Sequence, residues 1–321
     1  MPQYDLDSRD IVGNFYPTLE TAIDGSWANS VATVIDGATQ DIVTYSFVGN
    51  VPMMQQWIGE RKQQPLSPFS LSITNVKYEA TMVIDVADLR RDKTSQLQIR
   101  VGDLARRAVE HPQKLISTLI IDGDTTTSGL AYDGQQFFDT DHDESGSNQT
   151  NDLTSTEIPS ANVTTATAPT PTEMANVISE TIGYMYGYTD DQGEPVNGGA
   201  RDFVIMCGTA QLYSAAIQAA RLNALASGAD NPLVGLRQTG VNVTPIMNPR
   251  LSANTDAIQI FRTDSTGYKP FIFQIDEPLT TQLLGAGSDY EVLNDAHLFG
   301  VKATYAAGYG AWNQAVEVTL S

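Results

Sequence analysis

Residues 132 to 146, YDGQQFFDTDHDESG, set Asp139, Asp141 and Asp143 at alternate positions. Carboxylates spaced this way supply hard oxygen ligands, and calcium is the cation they would suit. An EF-hand loop also needs glycine at its sixth position and a bidentate glutamate at its twelfth. Counted from Asp139, those positions hold Glu144 and Thr150. The stretch therefore reads as a solvated acidic turn, with adventitious cation binding as the lesser reading. Other chemistry-bearing residues offer less. His111, His142 and His297 have no metal-ligand spacing, HExxH is missing, and one cysteine, Cys207, leaves too few soft ligands for zinc. GxSxG and GxxxxGK[ST] are absent. GAGSDYE lacks the third glycine of a dinucleotide cradle, and GYGAW around Gly308 and Gly310 reads as a tight turn. The expectation is no catalytic residue, no metal site, no cofactor and no enzyme.

Charge is the strongest bulk signal. Against 18 Lys and Arg stand 38 Asp and Glu, a formal net charge of -20. Tight nucleic-acid binding runs on Lys and Arg displacing counterions from phosphates, so this balance argues against it. The charge is also unevenly placed. Residues 61 to 114 hold ten basic and six acidic side chains, a net of +4, whereas 115 to 200 hold fourteen acids and no Lys or Arg. A chain divided this way can set its basic part against the acidic part of another copy, though two solvated faces are the plainer reading. No run of 18 apolar residues suggests a membrane span. The N-terminal MPQYDLDSRD lacks the basic and apolar regions of a secretory signal. Cys207, in FVIMCG, reads as a buried small hydrophobe.

The elements that must position these residues can be read from periodicity. VATVIDG and DIVTYSFVG read as short strands. GERKQQPLSPFS carries Pro65 and Pro68 and suits neither a central strand nor a helix interior. SLSITNVKYEATMVID alternates, with Leu71 and Ile73 on one face. After Asn75 the phase flips to Val76, Tyr78, Ala80, Met82 and Ile84, which predicts a bulge or bend there. Together these predict a long two-stranded excursion, and an isolated ribbon of that kind is marginal in water. Leu97, Val101, Leu104, Ala105, Ala108 and Val109 then follow helical spacing. The pattern resumes after Pro112 with Leu115, Ile116, Leu119 and Ile120, so Pro112 kinks one helix or divides two. Arg100, Arg106, Arg107 and Lys114 occupy the polar face. Residues 123 to 172 are loop-like. Thr170-Pro171-Thr172-Glu173 is a capping-box helix start. RDFVIMC predicts a buried strand, followed by a helix capped by Thr209. VNVTPIM, AIQIFR and KPFIFQI predict further strands, and the whole is α+β.

Three stretches, WIGER (Trp57 to Arg61), YDGQQFFDTDH (Tyr132 to His142) and LFGVKATYAAGYGAWNQA (Leu298 to Ala315), resemble the major head subunit of Mu-like phages and prophages. Through that family the chain is similar to tailed-phage capsid proteins with the Hong Kong 97 fold. The resemblance covers roughly residues 45 to 145 and 290 to 321; between them only the order of elements agrees. It implies an N-terminal arm over 1–45, an extended β-hairpin loop region over 46–92, and a peripheral domain over 93–199. That domain would hold the spine helix (93–121) and an insertion over 145–170. An apical domain over 200–290 and a return to the peripheral domain over 291–321 complete the fold. The ribbon from about 59 to 85 would lie across an adjacent subunit. Phe137 and Phe138 would anchor the loop after the spine helix, with the aspartates in turns and no metal implied.

By the same resemblance, inter-subunit contacts of the loop and spine fall to Trp57, Glu60, Arg61, Lys62, Pro65, Pro68, Phe69, Arg90, Arg91, Arg106 and Arg107. The implied partners are further copies, as hexamers and pentamers of an icosahedral shell, with portal, scaffolding and decoration proteins. Packaged double-stranded DNA would be enclosed without specific binding, and no membrane is involved. The place of action would be the virion, assembled in the host cytoplasm, with scaffolding from a separate protein. Some relatives of the wider fold lock neighbours by a lysine–asparagine bond. Lys62 lies in the corresponding loop, but no partner asparagine or assisting glutamate can be assigned, so that chemistry is not carried over. The competing reading is an acidic surface or adhesion protein that binds calcium weakly through the Asp-rich turn and the Thr-rich 145–170 segment.

Overall fold

The computed structural model describes residues 26–48, 68–91, 96–143, 148–190, 193–223 and 231–321. Its strands are β1 (Ala32–Asp36), β2 (Ile42–Val48), β3 (Pro68–Thr74), β4 (Val76–Asp85), β5 (His142–Asp143), β6 (Asn148–Gln149), β7 (Asp152–Leu153), β8 (Asp202–Cys207), β9 (Asn242–Met247), β10 (Ala257–Arg262), β11 (Phe271–Leu284), β12 (Ala296–Tyr309) and β13 (Ala315–Thr319). The α-helices are α1 (Ala28–Val31), α2 (Val86–Arg91), α3 (Gln96–Ile121), α4 (Pro171–Met185), α5 (Ala210–Arg221), α6 (Pro232–Gln238) and α7 (Asp289–Asn294). Two sheets dominate, one ordered β1-β11-β12-β4 and the other β7-β13-β10-β8-β9, while β2 and β3 form a two-stranded sheet of their own.

The apolar stripe predicted on either side of Pro112 lies along a single helix. Pro112 sits inside α3, whose 26 residues make it about 39 Å long. Proline there removes one backbone hydrogen bond, yet the stripe stays in phase. Val101 and Ala105 pack with Ile84 of β4 and with Phe299 and Val301 of β12. One end later, Ile116, Leu119 and Ile120 enter the main core. The helix thus spans from one sheet toward the other.

Aromatic side chains make the joint between the sheets. Phe137 stacks on Tyr309 at 4.7 Å and 11°, and meets Phe271 at 5.2 Å. Tyr309 ends β12 and donates its hydroxyl to the Leu119 carbonyl of α3 at 2.9 Å. A 3-10 turn at Trp312–Gln314 then carries the chain into β13 of the second sheet. The predicted start of α4 is present: the Thr170 hydroxyl accepts from the Glu173 amide, and the Glu173 carboxylate accepts from the Thr170 amide. Hydrogen bonds from Thr164 and Thr170 hold the Glu173 carboxyl down at about 2. Cys207 is buried on β8, and desolvation pushes its thiol up to about 12.

Two expectations change. The strand partner of β3 is β2, in the register Ile42↔Thr74 to Val48↔Pro68, whereas β4 joins the first sheet beside β12. The hairpin is therefore 42–74 rather than 59–85. The phase flip at Asn75 marks the point where the chain leaves one sheet for another. There the Asn75 amide donates to the carbonyls of Ala38 and Gln40, at 2.8 Å each, and accepts from Gln274. Within the stretch expected as an arm, β1 runs parallel to β11 with Ala28, Val31 and Ala32 buried, so these residues are sheet and core of their own chain.

Gly310 shows how tight the joint is. A Cβ there would collide with the Lys269 carbonyl oxygen and crowd that of Pro270, both backbone atoms that cannot swing away. Gly310→Ala is expected to cost on the order of 1–3 kcal/mol of stability. Gly198→Ala, with nothing within 4 Å of the added methyl, should leave stability nearly unchanged. Urea midpoints of the two unassembled variants check the difference.

Candidate inter-subunit surface

The hairpin is rooted on the body by one face. Val43 and Tyr45 of β2 stand opposite Ile73 and Leu71 of β3. Together they pack on Ile272 and Ala306 of the long strands. The Tyr45 hydroxyl donates to Gln274 Oε1 at 2.7 Å, and burial raises the Tyr45 pKa. On the other face Thr44 and Ser72 share a hydroxyl contact of 3.0 Å and Ile42 is exposed. Seven-residue strands extend roughly 20 Å, so the Val48–Pro68 pair ends well away from the Thr74 root.

Of the residues expected to make inter-subunit contacts, Trp57, Glu60, Arg61, Lys62 and Pro65 lie outside the described residues. Pro68 and Phe69 open β3, opposite Val48 and Phe47. Arg90 and Arg91 close α2. Arg106 and Arg107 are exposed on α3, with Arg100 and Lys114. Arg106 pairs with Asp103 one turn away, both largely in solvent. Such a pair adds little stability, so its charges remain open to other partners. Arg250 reaches Glu110 at 3.8 Å, also at the surface.

Behind that basic row, α3 does not close fully on the sheet. His111 Nδ1 lies 2.9 Å from the Tyr305 hydroxyl, and the Tyr78 ring sits 4.5 Å from His111 and 5.0 Å from Tyr305. Burial pushes Tyr305 up to about 12, and burial first, then Lys114 and Arg250, pushes His111 down. A hollow of about 260 Å³ opens beside this trio.

The Asp-rich turn is a structural device. Asp139 folds its carboxylate back onto the amides of Gln136 and Thr140, and Asp141 and Asp143 are exposed. Between them His142 turns inward and is fully buried. Its ring lies on Trp312 at 4.0 Å and 2°. Nδ1 meets Asp133 Oδ2 at 2.6 Å, and Nε2 donates to Asn151 Oδ1 at 3.1 Å. Asn151 in turn donates to the carbonyls of Phe137 and Trp312. Sequence reading missed this knot because His142 stands among carboxylates in a polar run; the one available signal was the aromatic pair just before it. Among the described residues, no group of three or more His, Cys, Asp or Glu could hold a metal ion.

Carboxylates do crowd at one place in the second sheet. Asp152 and Glu317 are register neighbours on β7 and β13, and Gln259 of β10 is the next residue in the row. Gln259 donates to Glu317 at 2.6 Å. Burial, opposed by that hydrogen bond and reinforced by Asp152, Asp124 and Asp256, pushes Glu317 up to about 7. Asp152 is also raised, by burial and then by Asp124, Glu157 and Asp139. With its folded pKa above the ordinary 4.5, Glu317 leaves stability intact at acid pH. Stability is lost as pH rises from about 4.5 through 7. Glu317→Gln is expected to match the parent at pH 4.5 and exceed it by on the order of 1–3 kcal/mol at pH 8. Urea unfolding at the two pH values checks this.

Comparison with known proteins agrees with this architecture. The family model for the Mu-like prophage major head subunit gpT matches residues 11–171. The major capsid protein of Escherichia phage Mu is 32% identical over 114 residues, 36% of this chain and 36% of that protein. The match thus spans about a third of the relative's length. Among solved structures, the bacteriophage JBD30 capsid superposes with TM-score 0.52 at 17% identity, over 91% of this chain and 64% of that one. The bacteriophage PhiM1 mature capsid gives 0.54 at 12% identity, over 92% and 87%. At such identities the likeness is one of fold, and the fold is the Hong Kong 97 type expected from the sequence. None of these relatives is an adhesion protein.

Proposed function

The chain belongs to the Mu-like prophage major head subunit gpT family, and from that premise we propose that it is the major shell subunit of a tailed bacteriophage or prophage. Its copies meet as hexamers and pentamers in an icosahedral head that encloses double-stranded DNA. Chemical catalysis has no part in this role.

The observation that carries the reading is the hairpin. Among the described residues β2 and β3 pair only with each other and spend one face on their own body, and residues 49–67 connect them in sequence. That segment carries Val51, Met53, Met54, Trp57 and Ile58 among polar neighbours. A ribbon of this kind gains apolar cover from an adjacent copy. One contact of ordinary size, about 1,600 Å², need not be strong. A subunit held by several neighbours gains effective concentration for each further contact. The basic stretch 61–114 and the acidic stretch 115–200 supply complementary charge between copies, which salt would weaken. The overall negative charge suits a wall that encloses DNA without gripping it. Portal, scaffolding and decoration proteins are the further partners in this role, the virion is its location, and assembly takes place in the host cytoplasm.

Purified chain should form capsomers, shells, tubes or sheets in sedimentation and negative-stain microscopy. A lasting monomer at every concentration and salt would overturn the reading. Replacing residues 49–67 by Asn-Gly, which closes Val48 onto Pro68 as a tight hairpin turn, should leave the circular dichroism and unfolding midpoint of the subunit unchanged while abolishing those assemblies.

A further inference from the structure

The hollow beside α3 has a definite origin. Near the start of the helix the space between α3 and the sheet is filled by Val101, Ile84 and Phe299. Farther along, Ala108 of α3 faces Ala80 of β4 and Ala303 of β12, and three small side chains leave about 260 Å³ open between Leu104, Val301 and Tyr305. An unfilled apolar hollow is destabilising, and filling it is favourable. Three charged residues are among its lining, Glu79, Arg107 and Lys302, and we take them as its rim.

We propose that this hollow is a socket for the Trp57 side chain of a second copy of the chain. The proposal rests on the shell-subunit reading and deepens it by naming where the segment between β2 and β3 would land. Among the apolar residues of 49–67, Trp57 alone joins a large flat ring to a hydrogen-bond donor. Indole N–H groups find acceptors when buried, and the Glu79 carboxylate, which accepts from Thr81 through one oxygen, is among the lining groups. The residues that follow are Gly59, Glu60, Arg61 and Lys62. Their charges complement the rim: Glu60 suits Arg107, while Arg61 or Lys62 suits Glu79; Lys302 lies 3.8 Å from Glu277 of its own chain. A tryptophan seated in a pocket and ringed by polar contacts is the usual anatomy of an interface anchor.

Three measurements test it. Trp57→Ala should keep the subunit folded by circular dichroism and raise the concentration needed for assembly on the order of tenfold or more. Ala108→Phe, which fills the socket from within, should do the same. For a direct readout, chains carrying Gln56→Cys and chains carrying Ala108→Cys are mixed and oxidised, the native Cys207 being buried. A covalent dimer that neither chain forms alone is expected. Normal shells without that dimer would overturn the socket while leaving the shell reading intact. A cross-link formed only within one chain carrying both cysteines would mean that the chain's own Trp57 fills the hollow, and would equally overturn it. If Ala108→Phe fails to fold, the mixed cross-link decides. Failure of the parent chain to assemble at all would instead count against the shell reading.

Discussion

The long helix and both sheets meet at the packing of Phe137 and Phe271 on Tyr309, with His142 laid on Trp312 beside them. These rings sit where the long strands of the first sheet turn into the second. They bury far more apolar area than any single hydrogen bond can match. Tyr309 also ties α3 by its hydroxyl, so the long helix, the rooted hairpin and both sheets share one anchor. Gly308 and Gly310 belong to the same constraint. A Cβ on Gly308 would run into Ile73 of the hairpin, and one on Gly310 into the backbone ahead of β11. The hairpin can lie flat on the body because the strand below it has no side chain at that point.

Much of this was legible from residue patterns, and the parts that were not have physical reasons. The capping box at Thr170, the buried strand ending in Cys207 and the stripe of α3 are local signals, and each appears where its period placed it. The break at Asn75 was also visible, because a side-chain period of two cannot change phase within one regular strand. Its meaning was not. Alternation says that a strand has an inner face but not which strand it joins. Thus 70–85 reads as one bent strand paired with the proline-bearing segment before it, when its first half joins β2, twenty residues upstream, and its second half joins β12. Pro112 pointed two ways, and the unbroken phase of Val101, Ala105, Ile116 and Ile120 would have favoured a single helix. The Asp-rich turn is solvated at Asp141 and Asp143 as its composition implies, and what the polar run conceals is His142, which faces inward.

The charge distribution shows a division of labour. The exposed basic side chains of α3 and the carboxylates that crowd around Glu317 belong to different layers of the same molecule. The first are solvated and salt-sensitive. The second are partly withdrawn from water, where like charges on neighbouring strands repel. Gln259 eases that repulsion at one oxygen only.

The parallel pairing of β1 with β11 has a mechanical consequence. Five consecutive rungs, Ala32↔Phe271 to Asp36↔Ile275, join the first described strand to one of the two 14-residue strands. A tug directed along the axis of β1 loads those rungs together in shear, so they resist as a set and do not unzip one by one. Load carried by β1 would pass through those rungs into β11 and the aromatic joint behind it.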